Sequence, residues 1–153
     1  MTKDVLVTIT SRHDNYGEHN AIQSISPGTY CYIQGRHVVR YEEILEETIG
    51  SEPVATLCIL KIGEDSVSLT KRGQADTEMY FKRGEAFDGI YDTPAGSLRM
   101  CLRTSRLDIT EAEEAISVDL EYGLDLNYSH ISDCYIKIDI TPQKLKKKMD
   151  NSL

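Results

Sequence analysis

The sequence predicts an all-β fold, a closed or nearly closed antiparallel barrel of about 8–10 strands joined mostly as an up-and-down meander. Three observations predict it. From Val54 onward apolar residues recur at every second position, the spacing of a strand with one face on a core and the other in water. The alternating segments are separated by short runs carrying Gly or Pro, which suit hairpins between sequential strands. A sheet of so many strands leaves two unpaired edges unless it curls on itself, so closure is favoured over an open sandwich, the alternative architecture.

Strands are expected over residues 5–12, 28–34, 36–45, 55–62, 66–72, 77–83 and 86–93, followed by three longer alternating runs. In the first of these, Leu98, Met100, Leu102 and Thr104 alternate with Arg99, Cys101, Arg103 and Ser105. In the second, Ile116, Val118, Leu120, Tyr122, Leu124 and Leu126 alternate with polar residues or Gly. A helix would scatter that set around its circumference. The third is Ile136, Ile138 and Ile140 against Lys137 and Asp139. Gly35, Gly63-Glu64-Asp65, Gly73-Gln74, Gly84-Glu85 and Pro94-Ala95-Gly96 supply the turns. Residues 41–48 fit helical spacing as well as a strand, and the strand is preferred. Thr110-Glu111-Ala112-Glu113 has the form of a capping box and predicts a short helical turn. Residues 14–27 show no periodicity and read as a loop. One domain is expected over residues 1–141, with 142–153 as a C-terminal tail or short helix.

The chain has 153 residues, 40% hydrophobic and 27% charged, enough for one core without disulfides or metal. No apolar run approaches the roughly 20 residues of a membrane-spanning helix, so no membrane partner is expected. The first residues lack the apolar stretch of a secretory signal, which points to a cytoplasmic protein. A net charge of −8 and a pI near 5.0 oppose non-specific nucleic-acid binding, so no nucleic-acid partner is expected. Lys144, Lys146, Lys147 and Lys148 form a basic run that reads as a solvated tail. Cys31, Cys58, Cys101 and Cys134 are widely spaced and read as free thiols in a reducing compartment. His13, His19, His37 and His130 lack zinc-ligand spacing, and no nucleophile elbow or phosphate-binding glycine loop is present. No catalytic residue, cofactor or metal is therefore expected.

Lys71-Arg72-Gly73, Met79-Tyr80-Phe81, Tyr91-Asp92-Thr93-Pro94-Ala95-Gly96, Leu102-Arg103-Thr104 and Leu120-Glu121-Tyr122-Gly123-Leu124, with Tyr41-Glu42-Glu43 upstream, run in order along most of the chain. In that ordered combination the sequence resembles the YwiB-like bacterial family of uncharacterised proteins. The resemblance implies a calycin-like barrel, similar in shape to lipocalins and fatty-acid-binding proteins, with no established activity. The chain has no Trp and so lacks the G-x-W signature of true lipocalins.

Five residues are candidates for a ligand site. Tyr91 and Thr93 fall two apart on one strand face, placing a phenol beside a hydroxyl at the barrel rim, while Pro94 and Gly96 suit a hairpin with a bulge. Tyr41 and Tyr122 offer apolar bulk with a hydrogen-bonding handle, although core packing alone also accounts for them. Arg72 follows Val67, Leu69 and Lys71 on the opposite face, just before an expected bulge at Gly73. Turned inward it needs a carboxylate such as Glu43 or one from a ligand; turned outward it is a rim ion pair. The leading functional reading is a small apolar or amphipathic ligand bound in the barrel. The alternative is a protein-interaction or homodimerisation module. A triphosphate tunnel hydrolase is disfavoured, because its E-x-E-x-K signature is missing and the inward faces are aliphatic.

Overall fold

The structure is a computed structural model that describes residues 3–15, 18–45, 54–73 and 76–143. Ten strands run in chain order: β1 (Asp4–Asn15), β2 (Glu18–Ile33), β3 (Arg36–Leu45), β4 (Val54–Ile62), β5 (Ser66–Arg72), β6 (Thr77–Lys82), β7 (Ala86–Thr93), β8 (Gly96–Ala112), β9 (Ala115–Leu126) and β10 (Ser129–Pro142). They form one antiparallel sheet of order β6-β5-β4-β3-β2-β1-β10-β9-β8-β7. Every neighbour in that order is also a neighbour in sequence except β1 and β10, which pair from Val5 with Pro142 to Asp14 with Asp133. The sheet curls until β6 and β7 approach. No ladder joins these two strands among the described residues; the chain between them bonds to β8 instead, through Gly84 N–H to the Thr104 carbonyl (2.9 Å) and Thr104 N–H to the Glu85 carbonyl (3.1 Å). The result is a nearly closed barrel.

The alternating aliphatics line its interior. Val39, Leu60, Ile62, Val118, Leu120 and Ile140 are almost wholly removed from water, contributed by strands all around the barrel. Burying each such side chain stabilises the fold by about 1.5–3 kcal/mol. Their packing fills the end that carries the β2–β3, β4–β5 and β8–β9 turns, the closed end. Towards the opposite, open end the inward residues Leu124 and Leu126 are only partly buried. Two hairpins use two-residue turns with positive φ at both positions, Gln34-Gly35 and Asn127-Tyr128, the geometry that matches strand twist.

Several local expectations are corrected. Residues 14–15 and 18–27 are not a loop, 16 and 17 lying outside the described residues: β1 and β2 pair from Asp4 with Thr29 to Asn15 with Glu18. The β2–β3 ladder is much shorter, from Gly28 with Tyr41 to Ile33 with Arg36. It stops where Pro27, lacking an N–H, would come next. Residues 18–27 of β2 therefore have one partner strand, and Ile22 and Ile25 stay exposed. With neither face buried over residues 21–27, nothing imposes alternation on their sequence. Nor do residues 110–113 make a helical turn. β8 continues to Ala112, and Glu113-Glu114 form the turn into β9. Residues 41–45 are strand, and 46–48 lie outside the described residues. The β7–β8 hairpin closes with Thr93 opposite Gly96 in unbroken register, so no bulge forms there. Bulges occur instead at Ser105 in β8 and Ile131 in β10. The first shifts the inward positions of β8 from Met100, Leu102 and Thr104 to Leu107 and Ile109. The part of the proposed tail beyond Gln143 is outside the described residues, and β10 itself reaches Pro142.

Candidate functional site

Cross-strand pairing sets one row of inward side chains across β3, β4, β5 and β6: Tyr41 opposite Cys58, Cys58 opposite Lys71, and Lys71 opposite Thr77. Tyr41 and Cys58 are buried in the core cluster, at 4% and 0% exposure. One rung nearer the open end, Glu43 lies on the same face and accepts a hydrogen bond from Lys71 Nζ at 3.4 Å. This ion pair keeps 29% and 26% of its side chains exposed, so it faces water from the inner wall. Level with Glu43, on the open-end side of Lys71, a Cβ on Gly73 would meet Thr56 Oγ1 at 2.9 Å. That close approach, rather than a bulge, is what glycine serves at position 73.

The Tyr41 hydroxyl is buried without a hydrogen-bond partner. Its polar neighbour is the Cys58 thiol, which donates to the Thr56 carbonyl at 3.7 Å and offers the phenol only a weak sulfur contact in place of an oxygen acceptor. Desolvation pushes the Tyr41 phenol far above its ordinary range, with the nearby Cys58 and Glu43 adding to the shift. Burial likewise pushes the Cys58 thiol up, against the lowering effect of Lys71. Both groups stay protonated near neutral pH, beside one cation and one anion that neutralise each other.

The other wall carries a similar row, Thr104 opposite Tyr122 and Tyr122 opposite Cys134. Tyr122 packs against Phe81 with ring centroids 4.9 Å apart and planes tilted by 50°, and burial raises its phenol strongly. Thr104 Oγ1 is a second buried hydroxyl without a partner.

Of the five candidates, Tyr41 and Tyr122 point inward from different walls. Tyr91 and Thr93 share a face of β7, but they stand at the β7–β8 turn, where Thr93 Oγ1 donates to the Gly96 carbonyl at 2.7 Å and Tyr91 is 38% exposed. Arg72 points outward, its side chain 59% exposed, and pairs with Asp76 at 3.8 Å. The inward cation is Lys71, which shares the parity of Val67 and Leu69, and the carboxylate considered for Arg72, Glu43, serves Lys71 instead. Cys58 was legible only as a small apolar residue.

At the closed end Tyr30 Oη lies 2.8 Å from His37 Nδ1, while His37 Nε2–H donates to Glu111 at 2.9 Å. Tyr32 covers the imidazole at 5.1 Å. This chain of bonds ties β2 and β3 to the end of β8 across the barrel floor.

Fold and interior together define a calycin-like, nearly closed antiparallel barrel with a packed floor and a polar patch on its inner wall. The family described as Domain of unknown function (DUF1934) matches residues 7–138, and the chain belongs to it. The structure is similar to the crystal structure of ywiB protein from Bacillus subtilis, with a TM-score of 0.76, 18% identity and coverage of 92% of each chain. Comparison with curated proteins gives no match.

Proposed function

We propose that this protein binds a small amphipathic molecule in the open half of its barrel, with the ligand's polar group at the Tyr41 hydroxyl and its apolar part on Leu124 and Leu126. The observation that carries the reading is the buried Tyr41 hydroxyl left without a partner beside the half-exposed Lys71–Glu43 pair. An unmet buried hydroxyl costs about 1–3 kcal/mol, which a ligand acceptor would return on binding. Because the pair is neutral overall, the fitting head group is an uncharged acceptor such as a carbonyl or hydroxyl. Binding without catalysis is favoured by the phenols and the thiol, which burial holds protonated. Four free cysteines suit a reducing cytoplasm.

Native mass spectrometry of protein purified from its own cells, followed by NMR titration with medium-chain alcohols and methyl ketones, tests the proposal. The expected result is a bound small molecule, or shifts centred on Tyr41, Glu43 and Lys71 that vanish in Tyr41→Phe. A bare mass together with no such shifts at saturating amphiphile refutes it.

A further inference from the structure

From residue 18 to residue 27, β2 pairs with β1 alone among the described residues, which leaves its other edge open. One bond fixes the direction of its backbone groups: Tyr30 N–H donates to the Lys3 carbonyl at 2.7 Å, on the β1 side. The β1–β2 register runs from there to Asn15 and Glu18 without a break, and N–H and C=O directions alternate along a strand. The even-numbered residues of β2 therefore bond to β1, and the peptide groups of His19, Ala21, Gln23 and Ile25 face the open edge. Pro27 falls in this second set, so its missing N–H takes nothing from the β1 ladder.

An open edge is a template for another strand, and the charges and bulges that usually guard one are missing here. The register is unbroken, and residues 20–35 form the longest stretch of the sequence without an acidic or basic residue. Ile22 and Ile25 stand 64% and 62% exposed, one on each face of the strand, while Gln23 Nε2 donates to Thr10 Oγ1 at 3.3 Å. Without charge, this edge has no means of selecting an acidic or a basic peptide. It matches an uncharged strand of small polar and apolar residues, and a second copy of the chain brings that strand. The net charge of −8, which sets two copies against each other elsewhere, is absent from this strip.

We infer that the protein forms a two-fold dimer through the open edge of β2, the two copies of residues 19–25 running antiparallel about an axis at Ile22. In that register Ile22 faces the partner's Ile22, Ala21 faces the partner's Gln23, and His19 faces the partner's Ile25. The outward N–H and C=O groups of all four odd-numbered residues then find partners. Ile22 occupies a position without cross-strand hydrogen bonds, where facing side chains approach most closely, so two exposed isoleucines become the central apolar contact. On the other face small Ala21 leaves room for the longer Gln23. Glu18 falls opposite the partner's Ser26, so the pairing brings no like charges together.

Sedimentation equilibrium from about 1 μM to about 1 mM covers the affinities open to so narrow an interface. The expected result is a reversible dimer whose association is at least tenfold weaker in Ile22→Lys, which sets two cations face to face, and is restored when Ile22→Lys is mixed with Ile22→Glu. Gln23→Pro removes one outward N–H without touching the β1 ladder and should weaken the dimer as much. Both positions are exposed, so thermal melts should show all three variants folded. Amide exchange at Ala21, Gln23 and Ile25 should slow as protein concentration rises. A parent that stays monomeric over the whole range overturns the inference, and so does a dimer that the variants leave unchanged. Slow exchange at those amides in the monomer overturns it equally, by assigning the edge to other residues of the same chain.

Discussion

Replacing Tyr41 by Phe separates the stability of the empty barrel from its ability to hold a ligand. The change removes one oxygen from a ring that is 4% exposed and leaves the ring's packing against the core in place. In the ligand-free protein that oxygen has lost its water and gained no hydrogen-bond partner. Burying such a hydroxyl costs about 1–3 kcal/mol, while a hydroxyl that is paired contributes about 1 kcal/mol. Phe should therefore stabilise the empty protein by about 1 kcal/mol once the lost contacts of the oxygen are deducted. For a chain of this length that raises Tm by about 2–4 °C, which calorimetry or urea denaturation resolves. Thr104→Val, at the second unpartnered hydroxyl, should act in the same direction and nearly additively from the other wall. Tyr135→Phe is the contrasting control, since its hydroxyl donates to Asp119 at 2.8 Å and its loss should destabilise. A Tyr41→Phe variant less stable than the parent by more than about 1 kcal/mol would mean that the hydroxyl is satisfied in the empty barrel, and the ligand argument would fall with it.

The phenols also set a pH dependence. Tyr41 and Tyr122 both titrate above the unfolded value of 10.0, so the folded state holds their protons longer; their contribution is intact below that value and lost as pH rises beyond it. Stability should fall from about pH 10 upward by about 1.4 kcal/mol per pH unit for each such buried phenol, and denaturant melts should show the slope reduced by about that amount in Tyr122→Phe. Gly28→Ala should destabilise by about 1–3 kcal/mol in the same melts, because the new Cβ meets the Arg40 carbonyl oxygen at 2.8 Å where β2 last pairs with β3. His37→Ala removes both bonds that tie Tyr30 to Glu111; a loss of about 1–2 kcal/mol, with faster amide exchange at the β8–β9 turn, is expected.

How much of this was legible beforehand follows from what each segment buries. β9 alternates without a break because every second residue from Ile116 to Tyr122 is in the core, and its pattern alone excluded a helix. The first part of β2, inside the stretch that reads as a loop, was invisible for the opposite reason: residues 21–27 have no buried face to mark. At Ser105 the apolar parity changes from Met100, Leu102 and Thr104 to Leu107 and Ile109, a mark of the bulge that the sequence carries openly. Parity likewise places Lys71 with Val67 and Leu69, yet Arg72 drew attention because a bulge was expected at Gly73. Tyr41 and Tyr122 were identified as inward phenols, but the missing partner of Tyr41 depends on packing that no single strand encodes. The His37–Glu111 bond joins residues 74 positions apart and left no local signature.

The pairing of the first strand with the last has a consequence for how the chain can be cut. If Gln143 were joined to Lys3 through the intervening residues and the backbone opened near Gly84, the strand sequence would become β7 through β10 followed by β1 through β6. Every hydrogen-bonded neighbour in the sheet would then be a neighbour along the polypeptide as well. Such a permuted chain keeps all nine ladders while discarding their single most distant contact, and it should fold faster than the parent for that reason alone.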